Sequence, residues 1–122
     1  MNELDGRVHD RAISRAQRNP PHGGLLVDLL LAQDEAAVLR KHSTALPAIT
    51  LDDRQLCDLE LLLNGGFSPL KGFMPRADYL SVVERLRLAD GTLWPMPVTL
   101  DVDAAVANGI HPGQEVVLRD SD

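Results

Sequence analysis

Twelve residues, Asn64 to Pro75, read Asn-Gly-Gly-Phe-Ser-Pro-Leu-Lys-Gly-Phe-Met-Pro and hold three glycines, two prolines and both phenylalanines of the chain. Glycine permits backbone angles that other residues avoid, and proline fixes φ near −65° and donates no backbone hydrogen bond. Neither a regular helix nor a central strand can run through such a stretch. Phe67, Leu70, Phe73 and Met74 nonetheless each gain about 1.5–3 kcal/mol by leaving water. A stiff, repeatedly turned and apolar loop is expected to be a packed structural loop or a wall against a neighbouring domain. Its polar side chains are Asn64, Ser68 and Lys71, and no histidine lies nearby in sequence to serve as a base, so packing outweighs direct chemistry. Asn64, Gly65, Gly66, Phe67, Ser68, Pro69, Leu70, Gly72, Phe73 and Met74 are therefore the candidate structural or inter-domain residues.

The rest of the chain limits what that loop can serve. At 122 residues there is enough chain for one domain with a true core. The net charge of −6 is uneven: residues 1–20 carry four arginines against three acids, and residues 21–122 carry eight basic and fifteen acidic side chains. An acidic body with few aromatic rings is a poor platform for nucleic acid, which needs clustered cations and stacking surfaces. Cys57 is the sole cysteine, which excludes an internal disulfide and a cysteine zinc cluster. No apolar run approaches eighteen residues, and Leu25 to Ala32 is interrupted by Asp28. No membrane and a cytoplasmic setting are the expectation.

In chain order, residues 1–20 read as a tail, mobile or loosely helical, with a weak stripe of Val8, Ala12, Ile13 and Ala16. Pro21 to Gly24 is a turn, and Leu25, Leu26, Leu29 and Leu30 follow at helix-like spacing, with a short strand as the alternative. Asp34 to His42 has acids first and bases last, as a helix dipole favours. Leu46 to Leu51 reads as a strand, and Asp52 with Gln55 forms a capping-box pattern before a helix from Asp53 to Leu63. Cys57 on that helix reads as a structural thiol among leucines. Asp58 and Glu60 are two apart and diverge on a helix, so they read as solvated or capping carboxylates. Asp78 is expected to cap a third helix running to about Leu86, with Tyr79, Val82, Val83 and Leu86 on one face. Ala89 to Gly91 is a turn, Trp94 is expected to plug the core, and Val98 to Val102 reads as a strand. A short helix, Ala104 to Ala107, and a strand, Gln114 to Arg119, complete the pattern. His9, His22, His42 and His111 have no ligand-like pairing, so neither a metal site nor any other cofactor is expected. His22, in its Gly/Pro turn, is expected to hydrogen-bond backbone.

The run Asp58 to Met74, with its Gly66-Phe67-Ser68-Pro69-Leu70-Lys71-Gly72-Phe73-Met74 core, resembles the N-terminal domain of the ATP sulfurylase (sulfate adenylyltransferase) family. The likeness continues through Pro21 to Asp28, Leu46 to Leu51, Leu88 to Val102 and His111 to Arg119. It implies an α+β fold, a PUA-like pseudobarrel of short strands with surrounding helices, over residues 21–122, incomplete at its C-terminal side. The family joins ATP and sulfate into adenylyl sulfate and pyrophosphate. The resemblance implies that the groups for this lie in a following catalytic domain, so no catalytic residue is carried over. Gln17-Arg18-Asn19-Pro20-Pro21-His22 superficially resembles the family's QxRNPxH nucleotide motif, but its spacing is one residue short and it precedes the domain. No Walker-type glycine loop is present, and Gly23-Gly24 and Gly65-Gly66 are not phosphate cradles. The implied partner is the catalytic domain or another protein chain, with ATP and sulfate bound through that domain. A stand-alone interaction module and an RNA-binding PUA-like module are the alternatives.

Overall fold

Helix formation is best specified in the middle of the chain. The computed structural model describes residues 19–122. The reading of residues 1–20 as a tail falls outside those residues, as do Gln17 and Arg18, apart from Asn19 and Pro20, both exposed. The central helix spans Asp53–Leu63, and three features fix its ends. Asp52 accepts from the Gln55 amide at 2.8 Å, and the Gln55 side chain accepts from the Asp52 amide at 3.0 Å. This reciprocal box satisfies two amides that the helix start leaves without partners. At the other end Asn64 is the C-cap and Gly65 turns the chain at φ +83°.

In chain order the elements are α1 Gln33–Ser43, β1 Ala48–Thr50, α2 Asp53–Leu63, α3 Arg76–Arg85, α4 Ala104–Asn108 and β2 Val117–Arg119. Among the described residues, four helices and two short strands give an α+β arrangement. β1 and β2 are parallel, with Ala48, Ile49 and Thr50 beside Val117, Leu118 and Arg119. The expected strands shrink to these three-residue pieces. Val98 to Val102 is no ladder strand at all. Pro95 and Pro97 lack amide hydrogens, and the carbonyls that follow face loop and side-chain donors instead: Val98 accepts from the Met74 amide at 2.8 Å, and Asp101 from Gln55 Nε2 at 2.7 Å. Two strands do not close a barrel.

The stretch Leu25 to Leu30 is neither helix nor strand but an irregular strap. Its backbone attaches at separate points, with the Val27 amide donating to Ser68 Oγ at 2.9 Å and the Leu29 amide to the Leu63 carbonyl at 3.0 Å. α3 begins three residues earlier than expected, with Pro75 rather than Asp78 as N-cap. Asp78 does not cap it, because its carboxylate accepts from the Ala89 amide at 2.9 Å. Of the anticipated stripe, Val82 is fully buried, whereas Tyr79, Val83 and Leu86 are exposed. The neighbouring buried position is Ser81, whose hydroxyl meets Arg85 at 2.8 Å.

Leu86 explains part of that shift. It sits at φ +56°, the left-handed region, costing about 1–2 kcal/mol for a residue with a side chain. The turn it makes leads into the Arg87–Leu93 bridge and brings Leu88 and Trp94 inward. Among the described residues the largest core cluster is Leu62, Leu70, Val82, Leu88, Trp94 and Val98, with Phe67, Phe73 and Met74 packed against it, and Ile49 and Leu51 are buried at the β1 end. Cys57, expected to be a structural thiol, is exposed. It lies roughly 140° around the helix from Leu62 at 100° per residue, away from the buried stripe.

Candidate functional site

The loop from Asn64 to Pro75 lies between α2 and α3, and its polar groups are consumed in shaping it. Asn64 Oδ1 accepts from the Gly66 amide at 2.8 Å, a turn that asparagine favours. Ser68 is buried; its hydroxyl donates to the Gly65 carbonyl at 2.7 Å while accepting from Val27 across the strap. The Ser68–Pro69 peptide is cis. Leu70 is buried and Phe67, Phe73 and Met74 are half-buried against the same cluster. Lys71 is exposed.

Two glycines are required by the way the strap crosses this loop. A Cβ on Gly65 would lie 2.7 Å from Leu26 Cδ1 and 3.1 Å from the Val27 carbonyl, and the residue already has positive φ. A Cβ on Gly23, at φ +77°, would lie 2.8 Å from Pro69 Cγ. Each side of the crossing therefore supplies one residue with no side chain, and backbone meets proline ring or leucine at contact distance.

Trp94 stands where strap, loop and core meet. Phe67 packs edge-on against it at a centroid separation of 5.7 Å and 88°, a favoured aromatic geometry. The His22 ring lies 5.9 Å away, tilted by 49°. His22 Nε2 donates to the Leu93 carbonyl at 2.6 Å, the backbone role its turn position implied. The indole Nε1 of Trp94 is buried with no acceptor among the described residues.

Two clefts flank the loop. One, of about 730 Å³, lies between Pro20, Pro21, His22 and Leu26 on the strap side and Gly66 and Ser68 on the other. Its one ionisable side chain, His22, is committed to Leu93. The second, of about 530 Å³, runs between Lys71, Phe73 and Pro75 and the turn bearing Asp78 and Asp90. Hydrogen bonds from Thr92, backbone first and then side chain, hold the Asp90 carboxyl below the ordinary aspartate value. Neither cleft joins a nucleophile to a base, and a single lysine beside two aspartates is not a phosphate clamp. Among the described residues no group of three histidines, cysteines or acids is placed to hold a metal ion. None of the helices there is long and apolar enough to cross a membrane.

Sequence reasoning missed the polar knot on the far side of α2. Arg54 pairs with Asp58 at 2.9 Å and with Asp101 at 2.8 Å, and Gln55, buried, reaches the Asp101 carbonyl. Asp58, expected to be a solvated or capping carboxylate, is instead half-buried and ion-paired, and Arg54 four residues earlier was the available signal. Asp101 had none, because its approach depends on how residues 99–101 lie over the helix. Glu60 is exposed. His42 comes to 3.7 Å from Glu115, an exposed contact between α1 and the approach to β2.

A model of the PUA-like domain matches residues 19–122. The sulfate adenylyltransferase of Aspergillus fumigatus is 58% identical over 106 residues, covering 84% of this chain and 18% of that protein. The one from Mycosarcoma maydis is 53% identical over 105 residues, with the same coverage. Among solved structures, a chain described as the hexameric APS kinase from Thiobacillus denitrificans superposes with a TM-score of 0.73 at 41% identity, over 83% of this chain and 20% of that one. The chain thus spans about a fifth of the length of the curated relatives it matches.

Proposed function

The chain belongs to the PUA-like domain family, matching the N-terminal region of sulfate adenylyltransferases, and from that premise we propose that it is a scaffold domain of such an enzyme, itself without catalysis and working in the cytoplasm. The observation that carries this reading is the fate of the loop's polar groups. Asn64 and Ser68 are spent on backbone turns and on the strap, and Leu70 and its neighbours face the domain's own core. Adenylyl transfer needs converging cations and backbone donors around a triphosphate. No such convergence is found among the described residues, and the chemistry is assigned to the remaining four fifths of the relatives' length.

The surface that best suits packing against a catalytic domain is the strap rather than the loop. Leu25, Leu26 and Leu30 are 69%, 58% and 60% exposed, and Val38 and Leu39 of α1 are 72% and 54% exposed. Apolar surface of this extent is typical of a face covered by another protein surface. In this reading the loop is the inner wall that supports the strap, and further strands close the pseudobarrel on the β1–β2 pair.

The test is sulfate-dependent pyrophosphate release from ATP by the folded 122-residue chain. No release above buffer is expected, with activity appearing when the rest of a sulfate adenylyltransferase is supplied. Sulfate-dependent turnover by the chain alone would overturn the scaffold reading.

A further inference from the structure

We propose that Asn108-Gly109 is a site of self-modification, where the chain converts its own asparagine to isoaspartate, and that the fold withholds the same reaction from Asn64-Gly65. Asparagine precedes glycine at these two places and nowhere else in the sequence, and at Asn19 the next residue is proline, whose nitrogen has no proton to lose. In the reaction the glycine nitrogen gives its proton to solvent base and attacks the asparagine Cγ. The new C–N bond closes a five-membered succinimide, and the side-chain nitrogen leaves as ammonia. Water then opens the ring at either carbonyl, giving isoaspartate or aspartate. Glycine favours closure because it has no Cβ to crowd the ring and accepts the backbone angles that the ring imposes.

The chemistry is the same at both sites, so the fold sets the difference. Asn64 is the C-cap of α2 at ψ 1°, and Asn108 is the last residue of α4. With ψ in the helical range the following nitrogen is turned away from the side chain, and the peptide must rotate by about a quarter to a third of a turn to meet Cγ. At Asn64 that rotation is opposed from three directions. The Gly66 amide holds Oδ1 at 2.8 Å, and Ser68 Oγ holds the Gly65 carbonyl at 2.7 Å. Gly65 itself is buried under the strap, where Leu26 and the Val27 carbonyl leave no room even for a methyl group. At Asn108 little stands in the way. α4 has five residues, no side-chain cap at Asp103 and no buried residue, far below the length at which a helix holds itself. Asn108 is exposed. The Gly109 amide meets the Val106 carbonyl at 3.1 Å, a last-turn bond that goes when the turn frays. The product places a new negative charge at the C-terminal end of α4, which the helix dipole disfavours.

Incubation of the full 122-residue chain in mildly alkaline buffer, with peptide mapping by mass spectrometry over time, tests this. Isoaspartate is expected first at Asn108, at least about tenfold faster than at Asn64, and the two rates should converge in denaturant. Ser68→Ala, which frees the Gly65 carbonyl and the Val27 amide, should speed Asn64 several-fold and leave Asn108 unchanged. Gly109→Ala, whose methyl would meet nothing closer than the Val106 carbonyl at 3.5 Å, should keep the fold and silence Asn108. Equal rates in the folded chain, or a faster reaction at Asn64, overturn the proposal. So does a preference for Asn108 that survives in denaturant, which would place its cause in the neighbouring sequence instead of the fold.

Discussion

The molecule has two layers that use leucine in opposite ways. Around the central loop, Leu62, Leu70 and Leu88 are 1%, 5% and 5% exposed, whereas Leu25, Leu26 and Leu30 of the strap stand mostly in water. The difference lies in how each layer settles its backbone. In the inner layer, turns and caps satisfy polar groups locally, as with the Gly65 carbonyl on Ser68 and the Leu88 amide on the Thr92 carbonyl at 2.8 Å, which frees the side chains to converge. The strap instead spends its backbone on long-range bonds to Leu63 and Ser68 and turns its leucines outward. Apolar composition alone does not decide burial; the local settling of amides and carbonyls does.

The comparison can be broken most directly at Leu62. Leu62→Ala should cost about 2–5 kcal/mol in chemical denaturation, because a fully buried side chain leaves a cavity among its neighbours. A loss well below that range would put Leu62 in the same class as the strap leucines. Gln55→Ala tests the seam between α2 and residues 99–101. It uncaps the Asp52 amide and abandons the Asp101 carbonyl, and should cost about 1–2 kcal/mol. Retained stability there would mean that side-chain packing, not the polar knot, holds the seam. The smallest effect is expected at the surface, where Leu30→Ser should change thermal stability by no more than about 0.5 kcal/mol. A shift approaching that of Leu62 would show that the outer layer is as tightly packed as the inner.

The sequence was most legible where the determinants are local. The bounds of α2 follow from Asp52, Gln55, Asn64 and Gly65, all within a turn of its ends. The dipole-matched ends of α1, the backbone role of His22 and the core position of Trp94 were also readable. Legibility failed where a distant segment made the decision. Asp78 looked like a helix cap, but Ala89 eleven residues away claims it. Val98 to Val102 looked like a strand, but the loop and α2 supply its partners. The stripe on α3 was expected to be buried along its length, yet the left-handed turn at Leu86 removes that residue from the helix and Ser81 takes an inner position. For the loop, its stiffness and inward apolar side chains could be anticipated, while the crossing of Gly65 under Leu26 could not, because no local signal marks where a strap will lie.

That crossing also bears on the order of folding. The strap's fastenings join residues 41 and 71 apart in sequence, Val27 to Ser68 and His22 to Leu93. Closing such spans costs chain entropy before any contact repays it, while α2, the loop and α3 can assemble from near neighbours. The strap is therefore expected to dock late, as is the β1–β2 pair, whose partners Ala48 and Val117 are as far apart in sequence, with its bonds largely unmade in the transition state. Weakening them, as by Ser68→Ala or by any side chain at Gly65, should hasten unfolding more than it delays folding in stopped-flow kinetics. On that expectation the strap is the latch of the domain, setting how long the native state lasts rather than how quickly it is reached.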